Sequence, residues 1–133
     1  MEVKQVIVMR KEFPDGKGGT RKLRRGKEIA QAAHASTSWL VEFIKQGNVQ
    51  SNLSFEQYEW MISGRFTKIT LQVDTEDQLV KVYNDARKAG LTVHMITDSG
   101  VTEFNGEPTN TCIAIGPNKS EDIDKITGKL QLY

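Results

Sequence analysis

The sequence predicts an α/β fold. Short apolar runs of β-forming residues recur along the chain, longer stretches with helical periodicity lie between them, and capping and stop residues mark the changes. With 133 residues, 38% hydrophobic and 26% charged, the chain is expected to form one domain, residues 1–133, with a core of its own. Helical connections between strands imply parallel neighbours with helices on both faces of the sheet. The connection around residues 98–110 carries no helical pattern, so one strand can reverse there and make the sheet mixed.

Val3 to Met9 contains Val6-Ile7-Val8-Met9 and reads as a buried central strand. Residues 10–26 are a basic, glycine-bearing connection. A long amphipathic helix follows to about Gln46, where Gly47-Asn48 stops it. On an ideal wheel Ile29, Ala33, Ser36, Leu40, Phe43 and Ile44 form the packing face, and Lys27, Gln31, His34 and Ser38 form a polar stripe opposite. Ser54 and Gln57 have capping-box spacing for a second, shorter helix that Gly64 ends. Trp39 and Trp60 read as core or groove-lining residues.

Ile69, Leu71 and Val73 alternate with polar residues as a half-buried strand does. Asp74 or Thr75 then caps a helix, Thr75 and Gln78 having capping-box spacing, through Leu79, Val82, Tyr83 and Ala86 to Gly90. Val93 to Thr97 is a third strand, and Asp98-Ser99-Gly100 is a turn. Thr111 to Ile115 is a fourth strand, which Gly116-Pro117 is expected to stop, and Ser120 is expected to cap a helix over 121–127 closed by Gly128.

The net charge of +1 hides an asymmetry: residues 1–27 hold nine Lys or Arg against three Asp or Glu, and the remainder holds nine against fourteen. Lys17, Arg21, Lys22, Arg24, Arg25 and Lys27 form the basic run, with no acid between Asp15 and Glu28. Three readings compete for it: a solvated loop, a nuclear-localisation-like address, or a phosphate-binding loop. Lys27 falls in the first helical turn, where backbone N–H groups disfavour a cation by up to about 1 kcal/mol. The same groups together with a lysine cradle an anion, so Lys27 is either a solvated side chain or part of an anion site. On the dipole alone, removing it should not cost stability. Cys112 is the only cysteine, which excludes an intrachain disulfide, and with only His34 and His94 beside it argues against a Cys/His metal site. No apolar run is long enough to cross a bilayer, and Met1-Glu2-Val3-Lys4 leads into a strand, so a cytoplasmic location is expected.

In open α/β sheets, sites collect at the carboxyl ends of strands, here the basic connection and Asp98. Gly26-Lys27 with Ala30-Gln31-Ala32-Ala33-His34-Ala35, Asp98-Ser99-Gly100 with Thr102, Ile113-Ala114-Ile115-Gly116-Pro117, and Ile123-Asp124-Lys125-Ile126-Thr127-Gly128 occur in that order. The set resembles the type 2 peptidyl-tRNA hydrolases of archaea and eukaryotes across nearly the whole chain. The resemblance implies hydrolysis of the ester joining a peptide to the 3′ end of tRNA, with no metal or organic cofactor. It also implies a three-layer α/β/α fold with a mixed, mainly parallel four-stranded sheet, and often a homodimer. Residue by residue it implies Lys27, Asp98, Thr102 and Thr111 as site residues, with Thr109 competing for the place of Thr111. Gln31 and His34 match the helix motif and join Arg21, Lys22, Arg24 and Arg25 as expected tRNA contacts. The sequence departs from the family pattern in a longer basic connection, an expanded 49–66 segment, Glu28 in place of an apolar residue, and Val101 where a basic residue is common.

The implied chemistry suits these residue types. An ester needs a carboxylate to hold the attacking water and donors for the carbonyl oxygen as it gains charge. Asp98 fits the first role, although Asp-Ser-Gly is equally an ordinary turn. Lys27, Thr102 and Thr111 fit the second. The alternative from another class is a non-catalytic tRNA-end or protein-interaction module on the same fold.

Overall fold

Strand β1 spans Val3–Arg10, and every residue in it except Lys4 is buried. A strand buried on both faces must sit in the middle of a sheet with packing on either side. The computed structural model, which describes residues 2–101 and 104–133, places it there. The other strands are β2 (Phe13–Pro14), β3 (Thr20–Arg21), β4 (Lys68–Val73), β5 (Val93–Asp98), β6 (Thr109–Lys119) and β7 (Gln131–Leu132). The helices are α1 (Arg25–Lys45), α2 (Phe55–Tyr58), which runs on into a π turn at Glu59–Ser63, α3 (Glu76–Lys88) and α4 (Ser120–Thr127).

Among the described residues the main sheet is mixed, in the order β5-β6-β1-β4-β7, with β2 and β3 forming a separate hairpin. β1 and β4 are parallel, whereas β1–β6, β5–β6 and β4–β7 are antiparallel. This corrects the expected four-stranded, mainly parallel sheet. β7 is two residues long and carries no period to read, and the reversal at residues 99–108 makes β6 antiparallel to both of its neighbours.

Alternation along β1 sends Val6 and Val8 into a cluster with Leu79, Val82, Ala86 and Ile123 of α3 and α4. Ile7 and Met9 point the other way, toward Ala35 of α1, Ile96, Cys112 and Ala114. A third cluster joins Val3, Trp39 and Trp60, so both tryptophans are core residues. The two expected capping boxes form: Ser54 Oγ accepts from Gln57 N at 3.1 Å, and Thr75 Oγ1 accepts from Gln78 N at 3.2 Å.

Three local expectations fail, each for a physical reason. The buried residues of α1 are Gln31, Ala35 and Trp39, whereas Ile29 and Ile44 are 63% and 61% exposed. The face turned to the sheet therefore lies between the two expected ones and takes Gln31 from the polar stripe and Ser36 from the packing face, because both find partners there; Ser36 Oγ donates to the buried Gln5 Oε1 at 2.6 Å. β6 continues through Gly116-Pro117, since the β1–β6 register shifts between Lys4 and Val6 and the missing proline N–H falls at that irregularity. A Cβ at Gly116, whose φ is +104°, would lie 2.6 Å from the Lys4 carbonyl oxygen, so the bulge needs glycine there. Ser120 is the first residue of α4 rather than its cap, which is Lys119.

Candidate functional site

β1, β4 and β5 run in the same direction, so their carboxyl ends lie at one edge of the sheet, together with the start of β6. Asp98 is the last residue of β5, and Gly100 turns the chain behind it. Gly100 has φ +83°, and a Cβ there would collide with the Glu107 carbonyl, so only glycine makes this turn. Its N–H donates to Asp98 Oδ2 at 2.9 Å.

The other carboxylate oxygen faces α1. Lys27 Nζ donates to Asp98 Oδ1 at 2.8 Å, with side-chain exposures of 16% and 11%. Gln31 lies one turn further along the helix and its Nε2 donates to the same oxygen at 3.4 Å. Thr111 Oγ1 donates to Gln31 Oε1 at 2.6 Å, completing a chain of side chains from Lys27 to β6. Gln31 is 7% exposed and Thr111 fully buried, so each needs the partner it has. The hydrogen bond from Lys27 holds the Asp98 carboxyl below the usual aspartate range; burial opposes this, and the Gly100 N–H and the lysine charge add to it.

Lys27, Asp98 and Thr111, expected as site residues, are thus brought together. Thr109 is not part of the chain: its Oγ1 donates to the Glu107 carbonyl at 2.8 Å. Thr102 lies outside the described residues. Gln31, expected as a surface contact to tRNA, is buried in the middle of the cluster instead, because its amide serves Asp98 and Thr111 at once. His34 is exposed, one turn beyond Gln31, and lines a groove between α1 and β5.

The basic connection is an ordered hairpin. Asp15 Oδ1 accepts from Lys17 N at 2.7 Å and Gly19 N at 3.0 Å, closing the tip, and β2 and β3 pair through Phe13 with Arg21. Phe13, Leu23 and Phe104 form a small core beneath it, which ties the hairpin to the segment after Asp98. The Arg21 guanidinium lies 5.2 Å from the centre of the Phe104 ring. Lys22, Arg24 and Arg25 are exposed and lead directly into the first turn of α1. Arg24, the residue before that turn, supplies no side-chain cap.

Sequence reasoning passed over Arg10, at the end of β1. It is 8% exposed, its Nε donates to the Glu12 carbonyl at 2.8 Å and its Nη1 to the Asn110 carbonyl at 3.1 Å. It also lies 4.4 Å from the Phe13 ring centre and 3.6 Å from Glu76. Arg10 therefore anchors the residue before Thr111 to the hairpin, and nothing in a run of basic residues distinguishes it. Burial pushes the Cys112 thiol up to about 12, despite the Thr111 hydroxyl, so it is an inert core group. Among the described residues no group of three His, Cys, Asp or Glu is placed to hold a metal ion, and no helix is long and apolar enough to cross a membrane.

Fold and site together define an α/β protein with an ionised carboxylate and a lysine at its strand ends, beside a basic hairpin. The family model described as Peptidyl-tRNA hydrolase PTH2 matches residues 3–133. The peptidyl-tRNA hydrolase of Methanocaldococcus jannaschii is 37% identical over 131 residues, covering 98% of this chain and 99% of that protein. That of Methanopyrus kandleri is 38% identical over 130 residues, 97% of each chain. That of Sulfurisphaera tokodaii is 38% identical over 133 residues, 99% of each. The chain belongs to the peptidyl-tRNA hydrolase PTH2 family. These matches do not support the non-catalytic alternative.

Proposed function

We propose that this chain hydrolyses the ester between a peptide, or an N-blocked amino acid, and the 3′ end of tRNA. Lys27 and Asp98, together with Thr102, do the chemistry, and Thr111 positions Asp98 through Gln31. The observation that carries the assignment of roles is the continuous chain Lys27–Asp98–Gln31–Thr111 at the strand ends. A water held by Asp98 attacks the ester carbonyl carbon, the carbonyl oxygen gains charge, and the bond to the ribose 3′ oxygen breaks. The proton ends on the departing 3′ hydroxyl. Because the Asp98 carboxyl is held ionised, it is a weak base at neutral pH, and its main work is orienting the water and accepting its proton as attack proceeds. Lys27 and the first-turn N–H groups of α1 face the developing oxyanion or a terminal phosphate. Thr102 holds the ester or the ribose by hydrogen bonds, whereas the buried Thr111 hydroxyl, expected in the same role, spends its proton on Gln31 and acts through it.

The RNA contacts in this reading are Arg21, Lys22, Arg24, Arg25 and His34, and Gln31 becomes a residue that positions Asp98. Neutralising Arg21, Lys22, Arg24 and Arg25 together should raise KM and flatten its dependence on salt while kcat changes little. The wider reading is a single three-layer α/β/α domain acting in the cytoplasm. The two apolar clusters on opposite sides of β1 support the layering. Exposed Ile29 and Ile44 support a homodimer, which sedimentation equilibrium tests.

The decisive experiment measures release of free tRNA and the N-blocked amino acid from N-acyl-aminoacyl-tRNA in the presence of a chelator. Turnover is expected. Tight binding without release of the acyl group would overturn the enzymatic reading, and loss of turnover restored by zinc would overturn the metal-free mechanism.

A further inference from the structure

A groove of about 420 Å³ runs away from the site between α1 and the outer side of β5. Its near end is formed by Thr97, the neighbour of Asp98, and by His34; its walls continue through Ser38, Val41 and His94. Apart from His34 at its mouth, no residue that lines it takes part in the reaction chemistry or the RNA contacts. We propose that this groove seats the peptide arm of the substrate, held as an added strand along the edge of β5, while the hairpin side receives the RNA. The proposal rests on the hydrolase reading above.

Three observations carry it. The first is continuity: the scissile ester must lie beside Asp98, its two arms must leave in different directions, and the groove opens at the residue before Asp98. The second is that β5 is the terminal strand of the sheet, paired on its inner side with β6. In an antiparallel pair alternate residues turn their N–H and C=O groups outward, so the outer edge of β5 offers a ladder to an extended chain. Its six residues give an edge of roughly 20 Å, enough to engage several residues of a peptide whatever their side chains. Main-chain pairing of this kind suits an enzyme whose peptide arm varies in sequence.

The third observation is electrostatic. The hairpin side carries Lys22, Arg24 and Arg25 exposed before the site lysine, a field that draws phosphates. The groove has one charge of each sign, Glu42 and Lys45, and two histidines. Burial pushes the His94 imidazole below its ordinary range, with Glu42 opposing, so that ring is neutral at pH 7. Such a groove, its one lysine balanced by Glu42, offers no excess positive charge to a nucleic-acid backbone, whereas its mix of apolar wall and edge backbone matches a peptide.

Ser38→Trp places a large ring in the groove two turns from Gln31 and outside the catalytic chain, and Ser38→Ala is its control. Each is assayed on two substrates with the same esterified amino acid, N-acetyl-aminoacyl-tRNA and a pentapeptidyl-tRNA. The expected result is a fall of about tenfold in kcat/KM for the pentapeptidyl substrate and little change for the N-acetyl one, with Ser38→Ala like the parent on both. Equal loss on both substrates, or loss on neither, overturns the groove assignment while leaving the hydrolase reading intact. A parent protein inert on both overturns the hydrolase reading, and this one with it. A second measurement needs no variant: the parent is titrated with a free N-acetylated pentapeptide. Amide NMR shifts gathered along Val93–Thr97 and the facing turns of α1 are expected, and shifts elsewhere or none at millimolar peptide overturn the proposal.

Discussion

Two Lys–Asp pairs in this protein have almost the same length and nothing else in common. Lys27 and Asp98 are 2.8 Å apart and 16% and 11% exposed; Lys81 and Asp85 are 2.7 Å apart and 76% and 40% exposed. The second pair lies within α3, four residues apart, and each partner is well hydrated with or without the other. The first joins the opening turn of α1 to the end of β5, across 71 residues of sequence. There the carboxylate has given up most of its water and relies on Lys27, the Gly100 N–H and Gln31 in its place. Contact distance therefore says little about what a charge pair does. Its hydration and its other partners decide whether it sets a charge state or merely decorates a surface.

The largest expected effect comes from changing the buried carboxylate. Asp98→Asn keeps size and shape but removes the charge that holds the water, so kcat should fall on the order of a hundredfold or more with tRNA affinity nearly kept. Single-turnover kinetics and a binding titration check this, and full activity would remove Asp98 from the mechanism.

Lys27→Ala is expected to depress activity strongly and also to destabilise the protein at neutral pH by about 1–3 kcal/mol, read from thermal or urea melts. This reverses the sign expected from the helix dipole alone. That term is at most about 1 kcal/mol, whereas stripping a buried carboxylate of its strongest donor costs more. The pH dependence follows. Asp98 has a depressed value when folded, so the pair stabilises the fold above the unfolded aspartate value of about 3.9 and loses its contribution as pH falls through the lower folded value. Without Lys27 the main lowering influence is gone and burial remains, so the acid limb of any residual activity should move to higher pH. An unmoved limb would mean that the lysine does not govern Asp98.

Most of the architecture was legible because strands and helices here carry strong local signals: the buried run of β1, the capping boxes at Ser54 and Thr75, and the turn at Gly100. The orientation of α1 was not, because counting apolar residues favours the face with Ile29 and Ile44. The helix instead buries Gln31, Ala35 and Trp39, and the partners of Gln31, Asp98 and Thr111, lie far away in sequence. The same gap hid the role of Gln31. Lys27, Asp98 and Thr111 stood out through motif resemblance, but local periodicity does not reveal that one glutamine links two of them. Arg10 and the groove beside β5 left no sequence signal, since each arises from elements brought together only by the fold.

A smaller effect is expected further along the side-chain chain. Thr111→Val keeps the volume but removes the hydroxyl, leaving Gln31 Oε1 buried without its donor at a cost of about 1–2 kcal/mol. Gln31 then holds Asp98 less firmly, and kcat should fall about tenfold while KM hardly changes. Thr111→Ser restores the donor and should recover most of the activity. If valine and serine behave alike, the hydroxyl plays no positioning part.

The smallest effect belongs to the exposed pair. Lys81→Ala removes a contact as short as the one at the site, yet the expected loss is only a few tenths of a kcal/mol. Water replaces most of what each charge loses, alanine is the better helix former, and lysine ahead of the acid is the less favourable order along a helix. Added salt should erase even that difference, because the pair lies open to screening. Activity should match the parent at every pH. A loss above about 1 kcal/mol, or one that persists in high salt, would show that hydration is not what separates the two pairs. In that case, the weight placed on burial at Lys27 and Asp98 would have to move to their other partners, Gly100 and Gln31.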